Sequence, residues 1–126
     1  MAYEQIERAL VVSYEAEAAM AEAYVVVTLG TANHQAKLPA ATTDFPLGVT
    51  LSTAAAGQSV PVVVDRAIVK VVANGAFSKG DPLTIAATTG RVDTGTPGTD
   101  KIIGVALEAA TAAGQLVPML LHRELA

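Results

Sequence analysis

The chain has 126 residues, of which 52% are apolar but only 4% aromatic, a formal net charge of −4 and no cysteine. That is the length of one domain, able to bury roughly two-thirds of the surface its unfolded chain would expose, around a core of small Ala, Val and Leu side chains. Without cysteine there is no disulfide or thiolate metal site. Without a Lys/Arg cluster there is no surface suited to nucleic acid or anionic lipid, since phosphate binding needs concentrated positive charge.

Residues 1–8 are acidic and polar, lacking the basic-then-apolar order of a signal peptide. No apolar stretch approaches the ~20 residues needed to span a bilayer, so a soluble intracellular product with no membrane partner is the default expectation. Residues 1–23 read as an N-terminal arm distinct from a single β domain over 24–126. Glu15 to Ala23 is rich in Ala, Glu and Met and is helix by propensity, with Ser13 as a candidate N-cap. Its flanks, Ala9 to Val12 and Tyr24 to Val27, read as strands. Two readings stand: a helical turn or two, or an extended arm lying along a neighbour.

From Tyr24 onward the pattern is β. Val25 to Leu29 is a β-branched run ending at Gly30. Thr31 to Asp44 reads as a long polar loop, broken by Pro39 and followed by Pro46. Val60 to Val64 is a continuous apolar run, interrupted by Asp65-Arg66 and resumed over Ala67 to Val72. Asn74-Gly75 and Gly80-Asp81-Pro82 mark turns, the second followed by Leu83 to Ile85; Thr88 to Val92 suggests a short hairpin. Asp93 to Asp100 is a Gly/Pro-containing loop. Close-set strands with turn signals between them predict an all-β sandwich or barrel.

Within that pattern one unit occurs twice. Gly48-Val49-Thr50-Leu51, a small-residue tract and Gly57-Gln58-Ser59-Val60-Pro61-Val62 return as Gly104-Val105-Ala106-Leu107, another such tract and Gly114-Gln115-Leu116-Val117-Pro118-Met119. The offset is 56 at the first glycine and 57 at the second. Both copies read as strand, Ala-rich turn, strand. Duplication of this kind is architectural, and the repeated residues offer no nucleophile, metal ligand or strong base.

Chemical motifs are sparse. Gly75-Ala76-Phe77-Ser78-Lys79-Gly80 has two glycines and a lysine, but a phosphate loop ends in Gly-Lys-Ser/Thr, and here Asp81-Pro82 follows. Two plain turns are the better reading. His34 and His122 are 88 positions apart with no ligand spacing around either; His122, beside Arg123 and Glu124, is a candidate pH-responsive group at an interface. Glu4, Glu7, Glu15, Glu17 and Glu22 cluster toward the N-terminus, and Asp65, Asp81, Asp93 and Asp100 fall at strand ends or turns, where aspartates ordinarily bond backbone amides. No Gly-x-Ser-x-Gly elbow is present. No enzyme, cofactor or metal is therefore expected. Asp65-Arg66 is either a solvated strand break or an intersubunit ion pair.

The landmarks taken in order carry a resemblance. They are Val11-Val12-Ser13-Tyr14-Glu15-Ala16, Val25-Val26-Val27-Thr28, Leu47-Gly48-Val49, Ala55-Ala56-Gly57-Gln58, Gly80-Asp81-Pro82-Leu83, Gly90-Arg91-Val92, Ile103-Gly104-Val105-Ala106 and Ala113-Gly114-Gln115. Over roughly 9–121 the chain resembles the small capsid decoration (cement) proteins of tailed bacteriophages, a family related to capsid fibre proteins. It departs from many relatives at Val64-Asp65-Arg66-Ala67, where they carry glycine.

The resemblance implies a compact all-β fold of the β-tulip type with an N-terminal arm. It also implies a virion protein, made in the host cytoplasm, on the outer surface of the expanded capsid, where it bridges major capsid protein subunits and stabilises the head. Self-association as a homotrimer is implied, with a dimer as the variant, and no catalytic residues carry over. With this reading the partner contacts are expected on the arm, at Tyr3, Ile6, Leu10, Val12 and Tyr14, and at Asp65 and Arg66. A head-fibre base or tail component is the alternative virion role. A ligand-binding β-barrel is a third class, for which the sequence offers no convergent polar pocket.

Overall fold

The computed structural model describes residues 10–64 and 67–122. Ten strands and no helix occur among them: β1 (Val11–Ala16), β2 (Val26–Leu29), β3 (Gln35–Lys37), β4 (Gly48–Thr50), β5 (Ser59–Val63), β6 (Ala67–Val72), β7 (Pro82–Ile85), β8 (Val92–Thr94), β9 (Ile102–Ala106) and β10 (Leu116–Leu121). β1 to β5 close into a barrel in the order β1-β3-β2-β4-β5; β6 to β10 form a second sheet in the order β6-β10-β9-β7-β8.

The all-β expectation holds, and the duplication is larger than the sequence unit. In the first half Val49 pairs with Val63 and Thr50 with Val62; in the second Val105 pairs with Leu120 and Ala106 with Met119. Offsets of 56 or 57 relate the remaining pairs as well. Val27 faces Gly48 as Leu83 faces Gly104, Leu29 faces Ala36 as Ile85 faces Val92, and Val11 faces Val63 as Ile68 faces Leu120. Even the parallel contact of Ala16 with Ala36 returns as a bridge between Ala73 and Val92. Each half of the chain is thus one copy of a five-stranded unit.

Alternation along the strands sorts the side chains of each unit. Val60, Val62 and Val64 point into the first unit's own core with Ala16, Met20, Val27, Ala36 and Leu47. Their strand neighbour Val63 points the other way and, with Val26 and Val49, joins the larger cluster built on Val69, Val71, Leu83, Ile85, Ile103 and Met119 of the second unit. This period-two division gives the first unit two buried faces, one inward and one against its partner half.

At the junction the two copies differ. In the first unit the Glu15 amide donates to the His34 carbonyl at 2.7 Å and closes the barrel. In the second the equivalent Val72 amide donates to Tyr24 O at 3.1 Å, and the Gly90 carbonyl accepts from the Val26 amide at 2.8 Å. The segment around Tyr24 to Val26 occupies the seam of the second sheet, which accounts for its being open where the first is closed.

Several expectations change. Glu15 to Ala23 is not helical: β1 runs through Ala16, the Glu17 amide bonds Ala36 O, and Met20 bridges Ala54. Those tertiary bonds override a weak helix propensity. Val11 to Ala16, placed by the sequence in the arm, is a barrel strand paired with β5 and β3 of its own chain. The long loop expected over Thr31 to Asp44 contains β3. Tyr3, Ile6, Asp65 and Arg66 lie outside the described residues.

Candidate interaction surface

Loop carboxylates and amides are engaged in local backbone work. Asp81 accepts the Ser78 amide at 2.9 Å, so the Gly75 to Gly80 turn directs this donor at its own carboxylate. Asp44 accepts the Ala40 amide and Asp100 the Thr96 amide, both at 2.8 Å and at equivalent places in the two units. Gln58 and Gln115 likewise accept amides of their own Ala-rich turns. Among the described residues no three His, Asp or Glu side chains gather as a metal site would require. Glu17 is held below the usual carboxylate range chiefly by the Thr31 backbone amide.

An ion pair between Arg91 and Glu22 joins the halves. Arg91 Nε donates to Glu22 Oε1 at 3.0 Å and Nη2 to Oε2 at 2.7 Å. These bonds lower the Glu22 pKa and raise that of Arg91, against a smaller opposing effect of burial. Glu22 also borders a small hollow of about 180 Å³ with Val25, Leu38 and Thr88 at the junction. A wider open depression of about 420 Å³ lies among Thr42, Thr43 and residues 98–102. Both are lined by ordinary loop and strand groups.

What the molecule does present is apolar surface. Leu10, Val11, Leu29, Phe45, Leu116 and Leu120 are its exposed large hydrophobic side chains among the described residues. Of the sequence-predicted contacts, Leu10 is exposed, while Val12 and Tyr14 are half-buried against the first unit's core. Leu29 lies on the strand next to β3, near this group in the barrel order. Leu29 and Leu120 escaped the sequence reading because each sits in a run of apolar strand residues that looks uniformly like core. The fuller duplication had a visible signal: Thr43-Asp44 and Thr99-Asp100 stand before Gly48 and Gly104 at the same distance.

The sequence profile described as phage cement protein matches residues 5–121. The chain belongs to the phage cement protein family. Among solved structures, the head fibre gp8.5 N base of bacteriophage phi29 has a similar fold, with a TM-score of 0.71 at 21% identity over 93% of this chain and 98% of that one. No curated protein matches. This cement protein is therefore a phage capsid structural protein by family, with the same fold as a head-fibre base.

Proposed function

We propose that this cement protein binds the exterior of the expanded capsid, bridges neighbouring major capsid protein subunits and stabilises the head against internal pressure. Family membership across 5–121 carries this reading. The charge of −4 is compatible with an outward position, where no DNA phosphate has to be neutralised. Exposed apolar residues at Leu10, Leu29 and Leu120 provide surface for association. In this reading the chain is made in the host cytoplasm and self-associates, as a homotrimer before a dimer. Residues 1–23 make a partner contact through Tyr3, Ile6, Leu10, Val12 and Tyr14, with Asp65 and Arg66 as a second point.

The test is co-sedimentation with empty shells of the parent phage in compact and expanded form. Saturable binding to the expanded shell at a fixed ratio to capsid subunits is expected; no binding to either form overturns the proposal. Removing residues 1–9 is expected to weaken shell binding while the β domain stays folded, and unchanged binding would remove the arm from the interface. The shared fold with a head-fibre base favours one second reading, that the chain seats a fibre on the shell. Electron microscopy of decorated shells separates the two, since cement gives low bosses and a fibre base gives protruding rods.

A further inference from the structure

An antiparallel sheet that meets water on one face ordinarily alternates apolar and polar side chains along its strands. The second sheet departs from this. Four of its strands place Pro82, Val105, Leu120 and Ile68 opposite one another in a single cross-strand row. The adjacent row, Leu83, Gly104, Leu121 and Ala67, is buried on the core side, so the Leu120 row faces outward. There Leu120 is 37% exposed and its three neighbours are half-buried. The four strands carry one charged residue between them, Lys70. An apolar row of this kind on the outside of a sheet marks a surface that something covers.

The nine residues that precede Leu10 start close to this row. The Leu10 carbonyl accepts the Val64 amide at 2.9 Å, and Val64 stands three residues before Ala67, the first residue of β6. β6 is an edge of the second sheet, with β10 beside it on one side only. At the far end of that edge the Val72 amide bonds Tyr24 O; the Ala67 end is the one nearer Leu10. The row spans three strand spacings, about 14 Å, and nine extended residues reach about 30 Å.

We infer that in the free protein residues 1–9 fold back round the Ala67 end of β6 and cover the outward row of their own second sheet, with Tyr3 and Ile6 against Ile68, Leu120 and Val105. The segment brings Glu4 and Glu7 to the strand that bears Lys70, so charge favours the contact as well. Attachment to the same chain supplies an effective concentration on the order of millimolar, which places this segment ahead of a second copy at ordinary dilution. Tyr3 and Ile6 are also proposed shell contacts; on that reading the segment leaves the row as it engages the shell, and the row is uncovered at the moment of docking.

The absence of native cysteine permits a direct test. The double variant Tyr3→Cys, Leu120→Cys is oxidised at low protein concentration beside Tyr3→Cys, Leu116→Cys, whose second cysteine lies at the other end of β10, about 13 Å away on the same face. A disulfide within one chain is expected for the 3–120 pair and not for the 3–116 pair. Removing residues 1–9 is expected to keep the circular dichroism of the fold and to raise the fluorescence of a dye that binds apolar surface by roughly twofold or more. Adding Leu120→Glu to that deletion is expected to abolish the rise. A link between chains gives the row to a second copy, and dye binding unchanged by the deletion leaves the row open for the shell; either result overturns the inference. So do an absent 3–120 link, equal linking at 116 and 120, and a rise that survives Leu120→Glu. None of these readouts involves a shell, so the inference can fail while the cement reading stands.

Discussion

Arg91 grips both carboxylate oxygens of Glu22 across the junction of two structurally equivalent halves. The fork is bidentate, the geometry in which a guanidinium exceeds a lysine. It is also partly in water, with side-chain exposures of 26% for Arg91 and 39% for Glu22, so solvent screening limits what it contributes. Arg91→Ala is expected to cost about 0.5–1 kcal/mol in urea unfolding at neutral pH.

The same pair predicts a pH dependence. Because the folded Glu22 pKa is depressed, its contribution is complete above the unfolded value of about 4.3. It is lost as pH falls through the lower folded value. The stability gap between the natural protein and Arg91→Ala should therefore close on acidification below that range, and narrow in high salt. A gap constant from pH 7 to pH 2 would contradict this.

Gly48 and Gly104 lie where a Cβ would overlap the carbonyl oxygens of Val63 and Leu120 on the paired strand. Gly48→Ala and Gly104→Ala should each cost about 1–3 kcal/mol by overpacking. Gly57 and Gly114 fail differently. They have φ of +85° and +89° with open space around them, so alanine should cost about 1–2 kcal/mol of backbone strain, and asparagine less. Paired denaturation curves check both halves at once, since equivalent glycines should give matching losses.

Met20 and Phe77 occupy equivalent positions, each bridged to an alanine of its own unit, Ala54 and Ala110. Both are buried, in separate clusters. Met20→Ala is expected to cost about 2–5 kcal/mol and Phe77→Ala about 3–5 kcal/mol. Because the clusters differ, the two losses should add, enough to unfold a domain whose total stability is about 5–15 kcal/mol. A double variant no less stable than the worse single one would show that the two units share one core.

The strands and the repeated Gly-Val to Gly-Gln unit were legible because their positions admit few residues. Gly48 and Gly104 recur as glycine since the paired strand leaves no room for a side chain. The rest of the duplication is hidden because its positions constrain the backbone and leave the residue free. Tyr24 matches Gly80 and His34 matches Gly90, all four at positive φ, yet the residue types share nothing. The helical reading of Glu15 to Ala23 failed because Ala and Glu propensities are local, whereas the Ala16 amide is claimed by Gln58 O and the Met20 amide by Ala54 O. Of the candidate surface, Leu10, Val12 and Tyr14 were readable as apolar residues near the N-terminus. Leu29 and Leu120 show as surface only in the folded chain, because each sits in a run of apolar strand residues.

Joining the two units in one chain has a kinetic consequence. With only Asp65 and Arg66 between Val64 and Ala67, each unit meets its partner at an effective concentration on the order of millimolar. The internal junction therefore forms at any dilution, and only contacts between chains respond to supply. The two units are delivered as one piece, in equal number and already joined before the protein encounters a second copy of itself.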